Sequence, residues 1–183
     1  MAVWVGLAPL YFMKRGLFMI ATTLLLLMLV ALDRLSKVLL PVLLSNGQTI
    51  TLIDGIVELR LLEGGNTGAA FGMLKNGTLV LIILTSLLML VLVYLLFFKR
   101  FSSRWLYSAI LLITAGGMGN LYDRVIYGYV TDFINFTFIE FPIFNIADCY
   151  VCIGAAILIL WLILSGKDSD IFVDTDKSSH SRV

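Results

Sequence analysis

Four long runs without a charged residue alternate with polar segments along the chain, and they set its predicted architecture. The runs cover residues 16–32, 77–98, 105–122 and 149–166, and they are 17, 22, 18 and 18 residues long. A helix needs about 20 apolar residues, with a range near 17 to 25, to cross a bilayer. We therefore predict a membrane α-helical protein with four transmembrane helices, at about residues 16–38, 77–98, 104–122 and 146–165.

The segment between the first two helices has a different pattern. In "QTITLIDGIVELRLLEGG" β-branched residues are frequent and side chains alternate, with Val57 and Leu59 on one face and Glu58 and Arg60 on the other. A period of two is typical of strands, so we expect a small β-hairpin or β-cradle at about residues 48–63. Such a sheet either holds an extended peptide by edge pairing or only caps the helices, and the pattern leaves both open.

The composition agrees with a membrane protein. Of the 183 residues, 60% are hydrophobic and 14% are charged, and the mean hydropathy of +1.01 is far above that of soluble domains. The net charge of +1 provides no basic surface for nucleic acid, so no nucleic-acid partner is expected. We divide the chain into an N-terminal leader (1–15), a four-helix membrane domain (16–166) and a polar tail (167–183) that should be disordered.

Basic residues indicate how the helices are oriented. They are Lys14 and Arg15 before helix 1, Lys99, Arg100 and Arg104 between helices 2 and 3, and Lys167 after helix 4. Because Lys and Arg are enriched in cytoplasmic segments, both termini should be cytoplasmic. The hairpin and the connection from about residue 123 to 147 are then extracytoplasmic, and so is any site that they form.

Two of the polar motifs lie at the outer ends of the first two helices. Asp33 and Lys37 in "DRLSK" are spaced i, i+4, so they can pair on one helix face, either as a plain salt bridge or as part of a site. In "NTGAAFG", Gly68 and its small neighbours let another backbone approach closely, and the Asn66 amide can fix it. A structural turn with a bonded asparagine is an equally good interpretation.

Helix 3 ends in small and polar residues. The glycines of "AGGMGN" favour close helix packing, and Asn120 at the outer edge can orient a polar group. Asp123 and Arg124 follow and together carry no net charge, which favours a structural ion-pair network. None of these interpretations requires the protein to be an enzyme.

Asp132 and Asp148 have no cation close by in the sequence. Ionisable groups at membrane depth are costly, so an uncompensated pair is a functional-site hypothesis by default. Two carboxyl groups brought close together cannot both ionise easily, and one then holds a proton while the other stays charged. An aspartyl hydrolase needs this state. The 16-residue separation allows the two side chains to meet but does not require it.

With these motifs, the chain resembles the lipoprotein signal peptidases (signal peptidase II), aspartyl peptidases of the bacterial inner membrane. The resemblance runs from about residue 16 to 165, and "DRLSK", "NTGAAF", "GNLYDRVIYGYVTDF" and "FNIAD" occur in the family's order. By this resemblance Asp132 and Asp148 are the catalytic dyad. The positions matching those that support the dyad or the substrate are Asp33, Lys37, Asn66, Gly68, Asn120, Asp123, Arg124, Val130, Asn145 and Ala147.

The resemblance also implies an activity and partners. The family removes the signal peptide from diacylglyceryl-modified prolipoproteins by cutting just before the lipidated cysteine, uses neither a metal nor an organic cofactor, and is inhibited by globomycin. We therefore expect a multi-pass inner-membrane enzyme, working as a monomer among membrane lipids. The alternatives are a small proton-coupled carrier, in which the two aspartates relay protons, and a purely structural four-helix subunit.

Overall fold

The computed structural model describes residues 7–68, 77–165 and 171–172, which contain four α-helices and a small three-stranded sheet. The helices are α1 (Leu7–Leu43), α2 (Thr78–Phe98), α3 (Arg104–Tyr127) and α4 (Ile146–Leu164), and the strands are β1 (Thr49–Ile53), β2 (Val57–Arg60) and β3 (Ile134–Phe136). A single 3-10 turn at Ser45–Gly47 links α1 to the sheet.

Three of the described helices are long and apolar enough to cross a membrane. They are the segment Arg15–Leu43 of α1, Thr78–Phe98 and Ile146–Leu164. The fourth helix, α3, is 24 residues long, but its second half contains three glycines, Asn120, Asp123 and Arg124, which lower its hydropathy. The prediction of a membrane helical protein is thus confirmed, with three spans identified by length and composition.

Small residues bring α3 and α4 into direct backbone contact. A Cβ atom added at Gly116 would lie 2.2 Å from the carbonyl oxygen of Ala147, and one added at Gly154 would lie 2.8 Å from the carbonyl oxygen of Ala109. Membrane helices commonly associate through such small residues because lipid provides no hydrophobic force between them. The predicted role of the helix 3 glycines in close packing is confirmed.

The apolar core lies towards the end of the bundle where α2 ends and α3 begins. Its members are Leu26, Met89, Leu92, Leu96, Leu106, Ile110, Leu111 and Ala115. One polar contact crosses the same region, because the Thr22 hydroxyl lies 2.9 Å from the hydroxyl of Tyr107. This half of the bundle is therefore stabilised almost entirely by the packing of apolar side chains.

The predicted hairpin is confirmed, and a third strand extends it. β1 and β2 pair antiparallel, with Ile50 opposite Leu59 and an irregularity between Thr51 and Ile53. β3 then pairs antiparallel with β2, placing Asn135 opposite Glu58, and the Asn135 amide donates to the Glu58 carboxylate at 2.8 Å. The third strand ties the hairpin to the connection between α3 and α4.

The ends of the chain differ from the predicted boundaries where they are described. α1 begins at Leu7, within the predicted leader, and it continues to Leu43. Pro9 lies in its first turn, where an N–H has no intrahelical partner, and Pro41 lies in its last turn, where it removes one N–H···O=C bond close to the end of the helix. Most of the predicted disordered tail lies outside the described residues. Its two described residues, Ile171 and Phe172, contact the connection between α2 and α3. The Ser102 N–H donates to Ile171 O at 3.1 Å, and the ring centres of Phe172 and Phe101 lie 5.6 Å apart with the rings tilted by 50°.

Candidate active site

The polar motifs converge at the end of the bundle next to the sheet. The contributing segments are the last turns of α1, residues 62–68, the end of α3, the connection 129–133 and the first turn of α4. All twelve site residues predicted from the sequence belong to these segments. They are connected by hydrogen bonds and ion pairs between side chains that are far apart in the chain.

Asp132 lies in the connection between α3 and α4, where the sheet fixes its backbone. The N–H of Leu62 donates to the Asp132 carbonyl at 3.0 Å, which continues the pairing of β2. The side chain is buried, with 1% of the residue exposed. Its Oδ2 accepts from Asn66 Nδ2 at 2.9 Å and its Oδ1 accepts from Asn145 Nδ2 at 2.6 Å.

Asp148 is held by the start of α4. Asn145 is the N-cap residue, and its side chain accepts from the Asp148 N–H at 3.0 Å, while Asp148 Oδ2 accepts from the Asn145 N–H at 3.1 Å. This reciprocal arrangement is a capping box, which the spacing in "FNIAD" favours. The remaining oxygen, Oδ1, accepts from Asn120 Nδ2 at 2.7 Å. The half-buried carboxylate is therefore fixed in orientation.

Asn145 joins the two carboxyl groups. It donates to Asp132 through its side chain and to Asp148 through its backbone, and it is itself fully buried. The same amide also lies 3.2 Å from Asn120 Oδ1. Two acids that are 16 positions apart in the chain thus share one hydrogen-bonding residue.

The environment of Asp132 changes its acidity. Burial raises the pKa of this carboxyl from the ordinary 3.8 to about 6. The negative charge of Asp148 acts in the same direction, whereas the hydrogen bonds from Asn66 and Asn145 and the charge of Lys37 act against it. Near neutral pH this carboxyl is poised to take up or release a proton.

A buried cation lies behind the carboxyl pair. Lys37 Nζ lies 3.0 Å from Asp33 Oδ2 and 3.0 Å from Asp123 Oδ2, and it donates to Asn120 Oδ1 at 2.9 Å. The predicted pairing of Asp33 with Lys37 is confirmed. The other oxygen of Asp33 accepts from the Ala147 N–H at 3.1 Å, which attaches α1 to the first turn of α4.

Arg124 does not pair with its neighbour Asp123. Adjacent residues on a helix point in different directions. Asp123 therefore faces α1, while Arg124 Nη2 donates to the carbonyl of Gly68 at 3.0 Å. Of these two residues, Asp123 belongs to the expected ion-pair network and Arg124 does not. Residues 69–72 of "NTGAAFG" lie outside the described part of the chain.

Asn66 is anchored on both sides. It forms an antiparallel bridge with Val130, in which each N–H donates to the other's carbonyl at 2.9 Å. Its side-chain oxygen accepts from the Gly68 N–H at 3.0 Å, so that its NH₂ group faces Asp132. The two predicted motifs "NTG" and "YVTD" therefore support each other.

Two contacts of the site had no evident signal in the sequence. Arg34 pairs with Asp123, 89 positions away, and its guanidinium lies 4.6 Å from the ring centre of Tyr122. Gly65 has a positive φ of 68°, and a Cβ there would collide with the ring of Tyr129 at 2.1 Å. Both contacts depend on long-range packing, although a glycine pair before Asn66 hints at a close approach.

The chemistry available at this site is that of acids and amides. Among residues 7–68, 77–165 and 171–172, no group of three His, Cys, Asp or Glu side chains is placed to hold a metal ion. Neighbouring carboxyl groups, one with a raised pKa, are the arrangement by which aspartic peptidases keep one proton between two acids. The chain is thus a helical membrane protein with two carboxyl groups joined by one asparagine at the end of the bundle next to the sheet.

Comparison with known proteins narrows this class. A family model described as "Signal peptidase (SPase) II" matches residues 25–164. Lipoprotein signal peptidases from Streptococcus pyogenes serotypes M5 and M18 are each 37% identical over 150 residues, which is 82% of this chain and 95% of each relative. The chain belongs to the signal peptidase II family, and it is an aspartic peptidase of the membrane.

Solved structures agree with this family. Two structures described as "Bacterial membrane enzyme structure by the in meso method", at 2.3 and 1.9 Å resolution, have TM-scores of 0.73 and 0.71 to this chain. They are 29% and 30% identical to it and cover 84% and 83% of it, and in both cases 96% of the solved chain is matched.

Proposed function

We propose that this protein removes the signal peptide from diacylglyceryl-modified prolipoproteins, with Asp132 and Asp148 as the catalytic dyad. The peptide bond just before the lipidated cysteine is the one that is cut. The family provides the general activity. The assignment of the two aspartates is argued from this chain's own contacts.

The observation that carries the proposal is the position of Asn145 between the two acids. It donates to Asp132 Oδ1 at 2.6 Å and to Asp148 Oδ2 at 3.1 Å. The negative charge of Asp148 acts on Asp132, and two carboxyl groups that share one hydrogen-bonding residue repel each other when both are charged, which favours a shared proton. Because the pair titrates as a unit, acid and base are at first assigned to the dyad as a whole.

The hydrolysis follows from this shared proton. The charged carboxylate takes a proton from a water molecule, whose oxygen attacks the carbonyl carbon of the scissile bond. The protonated carboxyl donates its proton to the carbonyl oxygen, giving a neutral tetrahedral diol. When the C–N bond breaks, the proton taken from water moves to the leaving amine, and one diol hydroxyl returns its proton to the carboxylate that had protonated the carbonyl oxygen. The amine becomes the free amino terminus of the lipidated cysteine, and the dyad is left with its one shared proton. The other product is the signal peptide with a new carboxylate.

The other predicted residues support this chemistry. Asn66, Asn120 and Asn145 hold the carboxyl oxygens, and Asp33, through the N–H of Ala147, fixes the start of α4. Arg124 attaches the Gly68 segment to α3, and Val130 pairs with Asn66. Lys37 and Asp123 complete the buried ion pairs behind the dyad.

In this proposal all four helices span the membrane. α3 packs against α1, α2 and α4, so a bundle in which these three cross the bilayer carries α3 across as a fourth span. The clusters of Lys and Arg then put both termini in the cytoplasm and the dyad at the outer face of the bacterial inner membrane. The substrate, itself a membrane helix with acyl chains, reaches the site from the lipid. We expect a monomer to suffice and globomycin to inhibit it.

Cleavage of a diacylglyceryl prolipoprotein by the purified protein tests the proposal. Wild-type protein should release the signal peptide, with mass spectrometry placing the cut before the modified cysteine. Asp132→Asn and Asp148→Asn should each lower the rate by about 10² to 10⁴-fold, the size typical of general acid–base catalysis.

A matched control is Glu140→Gln, which neutralises an exposed carboxyl in the same connection as Asp132. It should cleave as the wild type does. Undiminished cleavage by both aspartate variants would refute the dyad, and an inactive wild type, on a substrate that another family member cuts, would refute the activity.

A further inference from the structure

Lys37 is a buried cation whose charge is divided among three oxygen atoms. Only 4% of the residue is exposed, and its Nζ lies 3.0 Å from carboxylate oxygens of Asp33 and Asp123 and 2.9 Å from Asn120 Oδ1. An ammonium group has three N–H donors and no acceptor. Each of the three oxygen atoms can therefore receive one of its hydrogens.

Lys37 is the charged and nearer of two donors that set which way the Asn120 amide points, the other being Asn145 Nδ2 at 3.2 Å. The oxygen and nitrogen of a side-chain amide are alike in shape, and their placement follows from the hydrogen-bond network. Since Lys37 can only donate, the atom facing it must be the amide oxygen. The NH₂ group then faces the dyad, where it donates to Asp148 Oδ1 at 2.7 Å.

The other two amides at the dyad are oriented by the backbone instead. Asn66 Oδ1 accepts from the Gly68 N–H at 3.0 Å, and Asn145 Oδ1 accepts from the Asp148 N–H at 3.0 Å. Both therefore turn their NH₂ groups to Asp132. Of the three amides, Asn120 is the one whose direction depends on a charged side chain.

We propose that Lys37 is a positioning residue of the reaction, which acts on Asp148 through the Asn120 amide and keeps this carboxylate in the charged form that activates water. The inference rests on the proposed peptidase function and adds a division of roles within the dyad. Asp148 is the base that takes the proton from water, and Asp132 carries the shared proton.

The physical reason lies in the number of donors that reach Asp148. Without Lys37, the Asn120 oxygen keeps only the longer hydrogen bond, from Asn145 Nδ2 at 3.2 Å, so the amide is held less firmly where it donates to Asp148 Oδ1. A carboxylate whose donor is held less firmly loses part of its preference for the charged form. The charged base would then be available only at higher pH.

Other charged and titratable groups lie around Lys37, Asn120 and Asp148. They are Asp33 and Arg34 of α1, Asp123 and Arg124 of α3, Asp132 of the connection, and Cys149 and Tyr150 of α4. All stay in place when only Asn120 is changed. A variant at Asn120 therefore separates the amide's effect from that of the charges.

The test is the pH dependence of kcat/KM for prolipoprotein cleavage, from about pH 4 to pH 9, in Lys37→Met and Asn120→Ala. In both variants the acid limb should move to higher pH by roughly one unit. Arg60→Gln is the control, because it removes an exposed cation of β2 and leaves Lys37, Asn120 and Asp123 untouched. Its acid limb should stay at the wild-type position.

Lys37→Met leaves Asp33 and Asp123 buried without their shared cation, so its folded fraction is measured by size-exclusion chromatography. Asn120→Ala keeps those ion pairs and carries the test by itself if Lys37→Met does not fold. An unmoved acid limb in Asn120→Ala would overturn the inference, even if Lys37→Met shifts, because the charge would then act without the amide. A wild type that cuts nothing at any pH would instead refute the peptidase function, and with it this division of roles.

Discussion

The two halves of α3 are packed in opposite ways, although they belong to one helix. In the first half, Leu106, Ala109 and Ile110 are buried among apolar side chains of α1 and α2 or against α4. In the second half, Asn120 and Asp123 are buried among charges and amides. The first half is packed mainly through apolar side chains, and the second half is packed mainly through polar ones.

The difference shows what each half requires. Apolar packing is lost gradually as shape becomes poorer, since each contact is weak. A buried polar network loses much more when one member is removed, because the remaining donors and acceptors are left without partners. We therefore expect changes near the dyad to alter catalysis and changes in the apolar half to alter stability alone.

The largest effect is expected where the two kinds of packing meet, at Gly119. A Cβ at this position would lie 2.4 Å from Asp33 Oδ2 and 3.3 Å from the Cβ of Ala147. Gly119→Ala should push Asp33 off Lys37 and displace the start of α4, lowering stability by about 1–3 kcal/mol. Cleavage should fall at least roughly tenfold, measured alongside thermal unfolding.

The matched control is Gly117→Ala, two residues earlier. Its Cβ would meet the flexible end of Met89, 2.5 Å from Cε and 2.7 Å from Sδ, and a methionine can move aside. Cleavage should be nearly unchanged. Equal losses in the two alanine variants would show that the contact of α3 with Asp33 is no more sensitive than its contact with Met89.

A smaller effect is expected on stability when the pH changes. The pKa of Asp132 is raised to about 6 in the folded chain, chiefly by burial, so the folded state binds this proton more tightly than the unfolded state. The stabilising contribution of this group is therefore complete below about pH 4 and is lost as the pH rises through about 6. The melting temperatures of wild type and Asp132→Asn, compared across this range, measure it.

Asp132→Asn removes the titrating group, so the difference in melting temperature, wild type minus variant, should decrease as the pH rises. A difference that grows with pH would mean that the folded chain holds Asp132 in its charged form, which would contradict a raised pKa for this carboxyl.

The smallest effect is expected in the apolar half, at the single hydrogen bond between Thr22 and Tyr107, where the two oxygens are 2.9 Å apart. Tyr107→Phe removes it, and such bonds between membrane helices contribute about 0.6 kcal/mol on average. Thermal unfolding should show a slight loss, and prolipoprotein cleavage should not change. A severalfold loss of cleavage would mean that the two halves are coupled.

Much of the fold follows from the sequence because its signals are local. Long uncharged runs predicted the helices, the fourth of them at about residues 146–165, and alternation predicted the hairpin. β3 was not predicted, since three residues of "INF" give no period and their partner strand lies more than 70 positions earlier. Pairing over such distances leaves no local pattern.

The residues of the site were predictable from the sequence, but many of their contacts were not. Rare charges in an apolar chain pointed to Asp132 and Asp148, and the i, i+4 spacing pointed to the pair of Asp33 with Lys37. The partners of Asp123 were not predictable, because Arg34 and Lys37 approach it from another helix. The amide orientations around the dyad likewise depend on contacts between residues far apart in the chain.

Whether Asp132 and Asp148 work as a dyad is decided by comparing prolipoprotein cleavage in Asp132→Asn, Asp148→Asn and the double variant. If the two carboxyl groups act as one unit, each single variant should lose about as much activity as the double variant. If the losses instead multiply, the two aspartates act independently, and a dyad built around Asn145 is contradicted.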